Sequence, residues 1–438
     1  MARQAGAGDE CRNLLGRPAP LRRRGPRLWV RSHSRRVLEI NMSNQRVIIV
    51  GAGPSGLTAA LSLTAAGVPV VVLESRSEVS EDPRAATFHP PTLEMYSESG
   101  VTRRLHEMGI VCPQWQFRGR EEGIIAEFDL GILADITPFP YRLQCEQHKL
   151  VAILTDILSE RSGFEIHYGS AVEAVSQTAT GVTVTTSDGS SFEGAYVIGA
   201  DGGRSAVRKS QDIPFDGFTY QERFLVITTT TDFARQGYAL SCYVSDPREW
   251  CAIFKVPGGG PPGLWRVVFP TIPEAAAADL LDSGHAEQRL QGFIPSDEPY
   301  QIVHTNLYTV HQRVAASYRQ GRALLAGDAA HVNNPLGGMG MNFGIHDAFS
   351  LGDKISRVLN GESDDLLDLY DRQRRHVANA FLQAMTISNK QLLEEKDLAK
   401  RAVRLNEIRE IAADPAKARA FLMRTAMFEG LRAAEAIH

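Results

Sequence analysis

The segment Arg46–Ser75, RVIIVGAGPSGLTAALSLTAAGVPVVVLES, constrains the fold more than any other stretch of the chain. Arg46–Val50 is a short apolar, β-branched run and predicts a buried strand. Gly51, Gly53 and Gly56 follow as G-x-G-x-x-G, with Pro54 and Ser55 between the last two. An Ala-rich apolar stretch from Leu57 to Ala66 has helical spacing, Gly67 ends it, and Val68–Ser75 reads as a second strand. Together these form a βαβ unit. Glycines permit the tight turn and let backbone amides and the helix N-terminus face a pyrophosphate. Glu74 closes the second strand 23 residues after Gly51, with Ser75 and Arg76 beside it. It is placed to accept hydrogen bonds from a ribose. An acid there favours an adenosine ribose without a 2′-phosphate, as in FAD or NAD.

The chain has 438 residues, 43% of them hydrophobic, enough for two domains with sizeable cores. Residues from about Val111 to Pro140 lose the helical period, and Cys145–Glu160 regains it. Phe164–Ala200 reads as strands with a hairpin turn at Ser187-Asp188-Gly189. Pro214–Gln301 is strand-rich and predicts an antiparallel sheet forming a second domain, with a Gly/Pro turn at 257–263. From Leu366 the chain is helical and charged, broken near Asp414-Pro415, with Glu394 and Glu395 as surface partners for Arg401.

Two further glycine-rich motifs follow strands. YVIGADGGRSAVRKS (Tyr196–Ser210) ends a buried strand in Asp201-Gly202, with Arg204, Ser205 and Arg208 behind. After a strand at Arg322–Ala326, Asp328 is placed to meet polyol hydroxyls. PLGGMGMN (Pro335–Asn342) then offers backbone amides at the start of a helix, where negative charge is stabilised.

In this order and spacing, the three motifs resemble those of the class A flavoprotein monooxygenases, the p-hydroxybenzoate hydroxylase-like family. The resemblance covers nearly all of Met42 to about Gly361. It implies an α/β fold: a Rossmann-like, GR2-type FAD-binding domain interleaved with an antiparallel β-sheet substrate domain, plus C-terminal helices. The expected division is 42–110, 141–213 and 302–360 for FAD, 111–140 and 214–301 for substrate, and 361–438 as a helical region. By similarity Asp328 holds the ribityl chain. Pro335 lies near the reactive edge of the flavin, and the amides of Gly338, Gly340, Met341 and Asn342 surround its pyrimidine end. Pro83–Gly100 resembles the segment whose arginine reaches the cofactor, which points to Arg84. Gln147, opening a helix, resembles a family glutamine near the flavin. The implied reaction uses NAD(P)H and O2, through a flavin C4a-hydroperoxide, to hydroxylate a phenolic or heteroaromatic, carboxylated ring. His89, Tyr141, Arg223 and Tyr243 are the candidates to contact it.

Other readings are a flavin halogenase or reductase on the same fold, a non-catalytic flavoprotein sensor, and an NAD-dependent dehydrogenase. The chain lacks the W-x-W-x-I-like stretch of halogenases, and a dehydrogenase has no need of the second and third motifs. Scattered cysteines at 12, 112, 145, 242 and 251 form no C-x-x-C pair, so neither a metal site nor a disulfide framework is expected. They fit a reducing, cytoplasmic compartment. No apolar run is long enough to span a bilayer. The first 41 residues carry a net +7, leaving −11 for the rest, and an acidic body argues against nucleic acid as a partner. The basic head reads as a targeting peptide, a nucleic-acid or membrane arm, or upstream sequence before a working start at Met42; the third is favoured, and disorder is expected over 1–41. A small aromatic is the expected partner, with the protein a monomer or homodimer.

Overall fold

The computed structural model describes residues 45–79 and 84–438, so the expectations for residues 1–41 and for a start at Met42 lie outside the described residues. Val47–Val50 sits inside a six-stranded sheet. It pairs in parallel with Val70–Leu73 on one side and Tyr196–Gly199 on the other. Phe164–His167 extends the sheet beyond Val70–Leu73, Ala323–Leu325 beyond Tyr196–Gly199, and antiparallel Arg319–Gln320 closes that edge. Every residue of Val47–Val50 and Val70–Leu73 is buried. Continuous Val/Ile/Leu runs are what parallel strands covered on both faces require. The helix Pro54–Ala65 begins directly after Gly53, three residues before the expected Leu57. Proline at the first helical position needs no N–H and comes with the right φ.

The second sheet has eight strands, in the order His331–Val332, Ile302–Ala315, Phe215–Thr229, Leu264–Pro270, Cys251–Val256, Ser241–Ser245, Gln114–Gly119 and Gly123–Asp129. All neighbours are antiparallel except Ser241–Ser245 and Gln114–Gly119. Ile302–Ala315 departs from the expected division, which put it with the nucleotide-binding segments. It pairs along Phe215–Thr229 from Ala315 to Ile302, because its polar and apolar residues alternate with the period of a half-buried strand. That period splits the sheet into two faces. Leu225, Ile227, Trp265, Val267 and Phe269 pack with Leu290 and Phe293 of the helix Ser283–Phe293. Phe224, Val226, Ala252 and Val268 look the other way, in a cluster with Trp115, Leu336 and residues of the C-terminal helices.

Those helices include Asp365–Val377, Ala384–Glu394, Leu398–Ala413 and Pro415–Thr425. The break near Asp414-Pro415 is a capped restart: Asp414 accepts hydrogen bonds from the amides of Ala416 and Lys417 at 2.8 and 3.1 Å. Arg401 does not pair with Glu394 or Glu395. It reaches Glu122 on the turn between Gln114–Gly119 and Gly123–Asp129, Nη2 to Oε2 at 3.0 Å, and so fastens the last helices to the sheet.

Candidate active site

Between the two sheets lies one cavity of about 1210 Å³, lined by residues from all three glycine-rich motifs and from the inner face of the eight-stranded sheet. At one end stands the first turn. Gly51 has φ +103°, and a Cβ there would run into the carbonyl oxygen of Ala200; a Cβ on Gly56 would strike the carbonyl oxygen of Gly51. Two chain crossings are therefore pressed together under the helix start, and the backbone faces the cavity with no side chain in the way. Glu74 is held in place by the chain itself: the amides of Ala52 and Arg76 donate to its carboxylate at 2.7 and 3.0 Å. Asp201 accepts from the amides of Ala206 and Val207 through Oδ2 at 2.6 and 3.2 Å. Its Oδ1 is buried without a partner, and burial raises its pKa. A ligand hydroxyl or amide would satisfy that atom.

Asp328 follows a run of buried residues, and its side chain is open to the cavity. Burial raises its pKa, opposed by the charges of His331 and Arg84. The turn carrying it is anchored from behind. Gly327 N–H donates to Asp347 Oδ2 at 3.1 Å, and His331 Nε2 meets the same oxygen at 2.7 Å. Arg374 Nε donates to Asp347 Oδ1 at 2.6 Å. Burial alone would raise the Asp347 carboxyl, but Arg374 and His331 hold it down to about 2.

The loop from Pro335 leads into the helix Gly340–Leu359. Gly338 has φ +65°, and a Cβ there would come within 2.8 Å of the Thr87 Cβ. Asn342 Nδ2 donates to the carbonyls of Gly338 and Thr87, both at 2.8 Å. Its Oδ1 accepts from His89 N–H at 3.0 Å.

The far wall is the inner face of the eight-stranded sheet. Register places Tyr243, Ala252, Val268, Val226 and Asn306 in one row across five strands, and Ser241, Phe254, Arg266, Thr228 and His304 in the next. Tyr308 lies two residues beyond Asn306 on the same face and also lines the cavity. Arg266 Nη1 donates to the Arg84 carbonyl at 2.9 Å, and its Nε is buried without an acceptor.

The structure brings together most of the expected residues. Gly51, Gly53, Pro54, Ser55, Glu74, Ser75, Arg76, Arg84, Gln147, Asp201, Gly202, Asp328, Pro335, Gly338, Gly340, Met341 and Tyr243 line the cavity. Gly56 and the Asn342 side chain stand behind it, as supports for the turn and the loop. His89, Arg223 and Tyr141 do not line it. His89 is fully buried with Nε2 at 3.0 Å from the Gly337 carbonyl, so it braces the loop. Arg223 turns to the carbonyl of Ala275. Tyr141 bonds His106 Nε2 at 2.8 Å. The wall residues Arg266, His304, Asn306 and Tyr308 were not among the sequence candidates. The signal was there: polar residues at every second position of HTNLY, and one arginine inside the apolar run LWRVVFP.

A glycine turn, two carboxylates, an amide-rich helix start and the inner face of a sheet thus surround one cavity. The sequence matches the family described as FAD binding domain over residues 44–385, and the chain belongs to it, among the class A flavoprotein monooxygenases. It is 34% identical to para-nitrophenol 4-monooxygenase of Pseudomonas sp. (strain WBC-3), over 89% of this chain and 97% of that protein. It is 35% identical to 6-hydroxy-3-succinoylpyridine 3-monooxygenase HspB of Pseudomonas putida (strain DSM 28022 / S16), over 76% and 84%. The crystal structure of p-nitrophenol 4-monooxygenase PnpA from Pseudomonas putida DLL-E4 superposes with a TM-score of 0.83 at 34% identity, covering 88% of this chain and 97% of that one. The chain is thus an FAD-dependent aromatic monooxygenase.

Proposed function

We propose that the protein hydroxylates an electron-poor phenol or hydroxypyridine bearing an acidic or strongly withdrawing substituent, with NAD(P)H as reductant and O2 as oxidant. The observation that carries this reading is the single cavity joining the FAD motifs to a wall with Arg266 as its one fixed cation and, among the described residues, no carboxylate. That wall suits a ring carrying negative charge. The names of the relatives, with nitrophenol and a hydroxylated, succinoylated pyridine, support the same class.

Bound FAD would supply the redox chemistry that couples NAD(P)H and O2 to ring hydroxylation, with the second oxygen leaving as water. The chain does the rest. Glu74 would accept from the ribose hydroxyls, the Gly51–Gly56 turn and Arg84 would hold the pyrophosphate, and Asp328 would accept from the ribityl chain. The amides from Gly338 to Met341, at the start of a 20-residue helix, would favour negative charge on a ring bound against them. Tyr243, Asn306 and Tyr308 orient the aromatic. Burial raises the Tyr308 pKa, so it donates a hydrogen bond at neutral pH. Leu336 and Met339 keep water from the reacting edge. We assign FAD binding to 42–110, 141–213 and 316–360, and the substrate wall to 111–140 and 214–315. Among the described residues no helix is long and apolar enough to cross a membrane. The free cysteines 112, 145, 242 and 251 support a reducing compartment, the cytoplasm.

The test is NADH and NADPH oxidation in air by the purified full chain against nitrophenols, hydroxybenzoates and hydroxypyridine acids. The expected result is stimulation by one aromatic and a product one oxygen heavier. Stimulation by none, or oxidation without an oxygenated product, would overturn the reading.

A further inference from the structure

Val332, Asn333, Pro335 and Leu336 line the cavity, between the strand His331–Val332 and the helix Gly340–Leu359. Asn334, in the middle of this stretch, is fully buried and does not line it. Its N–H donates to Gln312 Oε1 at 3.0 Å and its Nδ2 to the Thr386 carbonyl at 2.9 Å. Its Oδ1 accepts from Leu336 N–H at 3.1 Å. The carbonyl of Leu336 accepts from Asn389 Nδ2, also at 3.1 Å. Gln383 Nε2 donates to the Val332 carbonyl at 3.1 Å. Gln312 Nε2 donates to Thr386 Oγ1, which donates to the Leu382 carbonyl, both at 2.8 Å. The cavity-lining loop is thus tied, peptide by peptide, to one helix near the C-terminus.

Gln383, Thr386 and Asn389 stand three apart, as neighbours along one side of a helix do. Which way that side faces depends on an irregularity. Between Asp365–Val377 and Ala384–Glu394 the helix widens into a π turn, Ala378–Gln383. A π turn carries one extra residue, and one residue rotates everything beyond it by about 100°. A regular continuation of Asp365–Val377 would aim these three side chains elsewhere. Asn389 is also seated on bare backbone: a Cβ on Gly337 would come within 3.2 Å of its Nδ2, and Gly337 has φ +113°. The glycine lets the amide approach the Leu336 carbonyl.

We propose that Asn389 is a positioning residue for the reaction. Acting through the Leu336 carbonyl, with Gln383 and Thr386 beside it, it sets how Pro335 and the amides after it stand toward the bound flavin ring. The C-terminal helices are then part of the machinery of the site and not only its outer packing. The proposal rests on the reading that this loop borders the ring, and adds what fixes the loop there.

The experiment loads the full chain with FAD and reads the visible flavin spectrum, the FAD dissociation constant and the dye-equilibrated reduction potential. Asn389→Asp keeps the shape and puts an acceptor where the donor was; Asn389→Ala removes both. Each raises the dissociation constant by about fivefold and displaces the flavin absorbance maxima. Each also makes the potential more negative, since amides drawn back from the ring favour negative charge on it less. Asn389→Gln, with the donor on a longer arm, recovers part of each change. Leu405→Ala, at a buried position of the helix Leu398–Ala413, controls for general loosening: it lowers the urea midpoint of the apoprotein and leaves the three flavin readouts in place. Gly338→Ala, on the loop itself, tests the reading beneath the proposal. If Gly338→Ala moves the readouts and Asn389→Asp matches wild type, Asn389 only fills space and the proposal is overturned. It is equally overturned if Leu405→Ala moves them as far as Asn389→Ala does. If Gly338→Ala moves none of them, the loop does not border the ring, and the underlying reading fails together with the proposal.

Discussion

The backbone N–H of Gly327 donates to the carboxylate of Asp347 across 3.1 Å. The helix whose first turn presents its amides to the cavity thereby also fixes the turn that presents Asp328. Arg374, from the helix Asp365–Val377, closes the arrangement on the other carboxylate oxygen. Replacing Asp347 by Ala leaves Arg374 and His331 buried around an empty place. The expected loss is about 3–5 kcal/mol, read by urea denaturation of the apoprotein. Asp347→Asn keeps the shape and weakens FAD binding by about tenfold, or roughly 1.4 kcal/mol, read by flavin fluorescence.

His89 predicts a pH dependence. Its folded pKa is lowered to about 3, from 6.5 in the unfolded chain. A lowered pKa means that the unfolded state takes up a proton first as pH falls. The stability from a neutral His89 is complete above pH 6.5 and declines below it, by up to about 1.4 kcal/mol per pH unit. Urea midpoints at pH 7, 6 and 5 should fall in wild type, and less steeply in His89→Gln.

Gly338 adopts φ +65° with Thr87 directly behind it. Gly338→Ala meets both the backbone strain and the Thr87 side chain, so the loop must move toward the cavity. The expected cost is about 1–3 kcal/mol, seen as weaker FAD binding and an altered flavin spectrum. A variant with wild-type affinity and spectrum would show that the loop does not set the flavin environment.

Tyr308→Phe removes one donor from the substrate wall and keeps the ring. An unmade hydrogen bond to a buried partner costs about 1–3 kcal/mol. The expected result is KM for the aromatic raised by about tenfold or more, with FAD affinity unchanged. Equal changes in both would assign Tyr308 to the fold alone.

The glycine-rich half of the cavity was readable because backbone geometry leaves a local mark. Gly51, Gly56 and Gly338 are forced by close approaches of main chain, and each falls beside its acid or helix within a short stretch. Residues that act through their side chains across the sheet leave no such mark. His89 and Tyr243 look alike as polar residues beside apolar runs, yet one is packed under Gly337 and the other opens to the cavity. Which of them faces the ligand depends on strand register and on loops far away in sequence. Ile302–Ala315 was misplaced for a related reason: it follows the expected sheet segment directly, and only its alternation separates it from the parallel strand Ala323–Leu325.

The floor beneath Gly51 is the carbonyl of Ala200, and the flanking strand Tyr196–Gly199 lies about 150 residues downstream. During synthesis the first strand and its glycine turn emerge with one neighbour missing. The acid at 328 and the amide loop after it come later still. If the three motifs hold FAD together, as proposed, that grip forms only when the third has left the ribosome. The Asp347–Arg374 contact delays the final lock to the C-terminal helices. A chain ending before Tyr196 should therefore have an open central strand, and one ending between there and Arg374 should lack the partner of Asp347; each should be more readily proteolysed than the full chain.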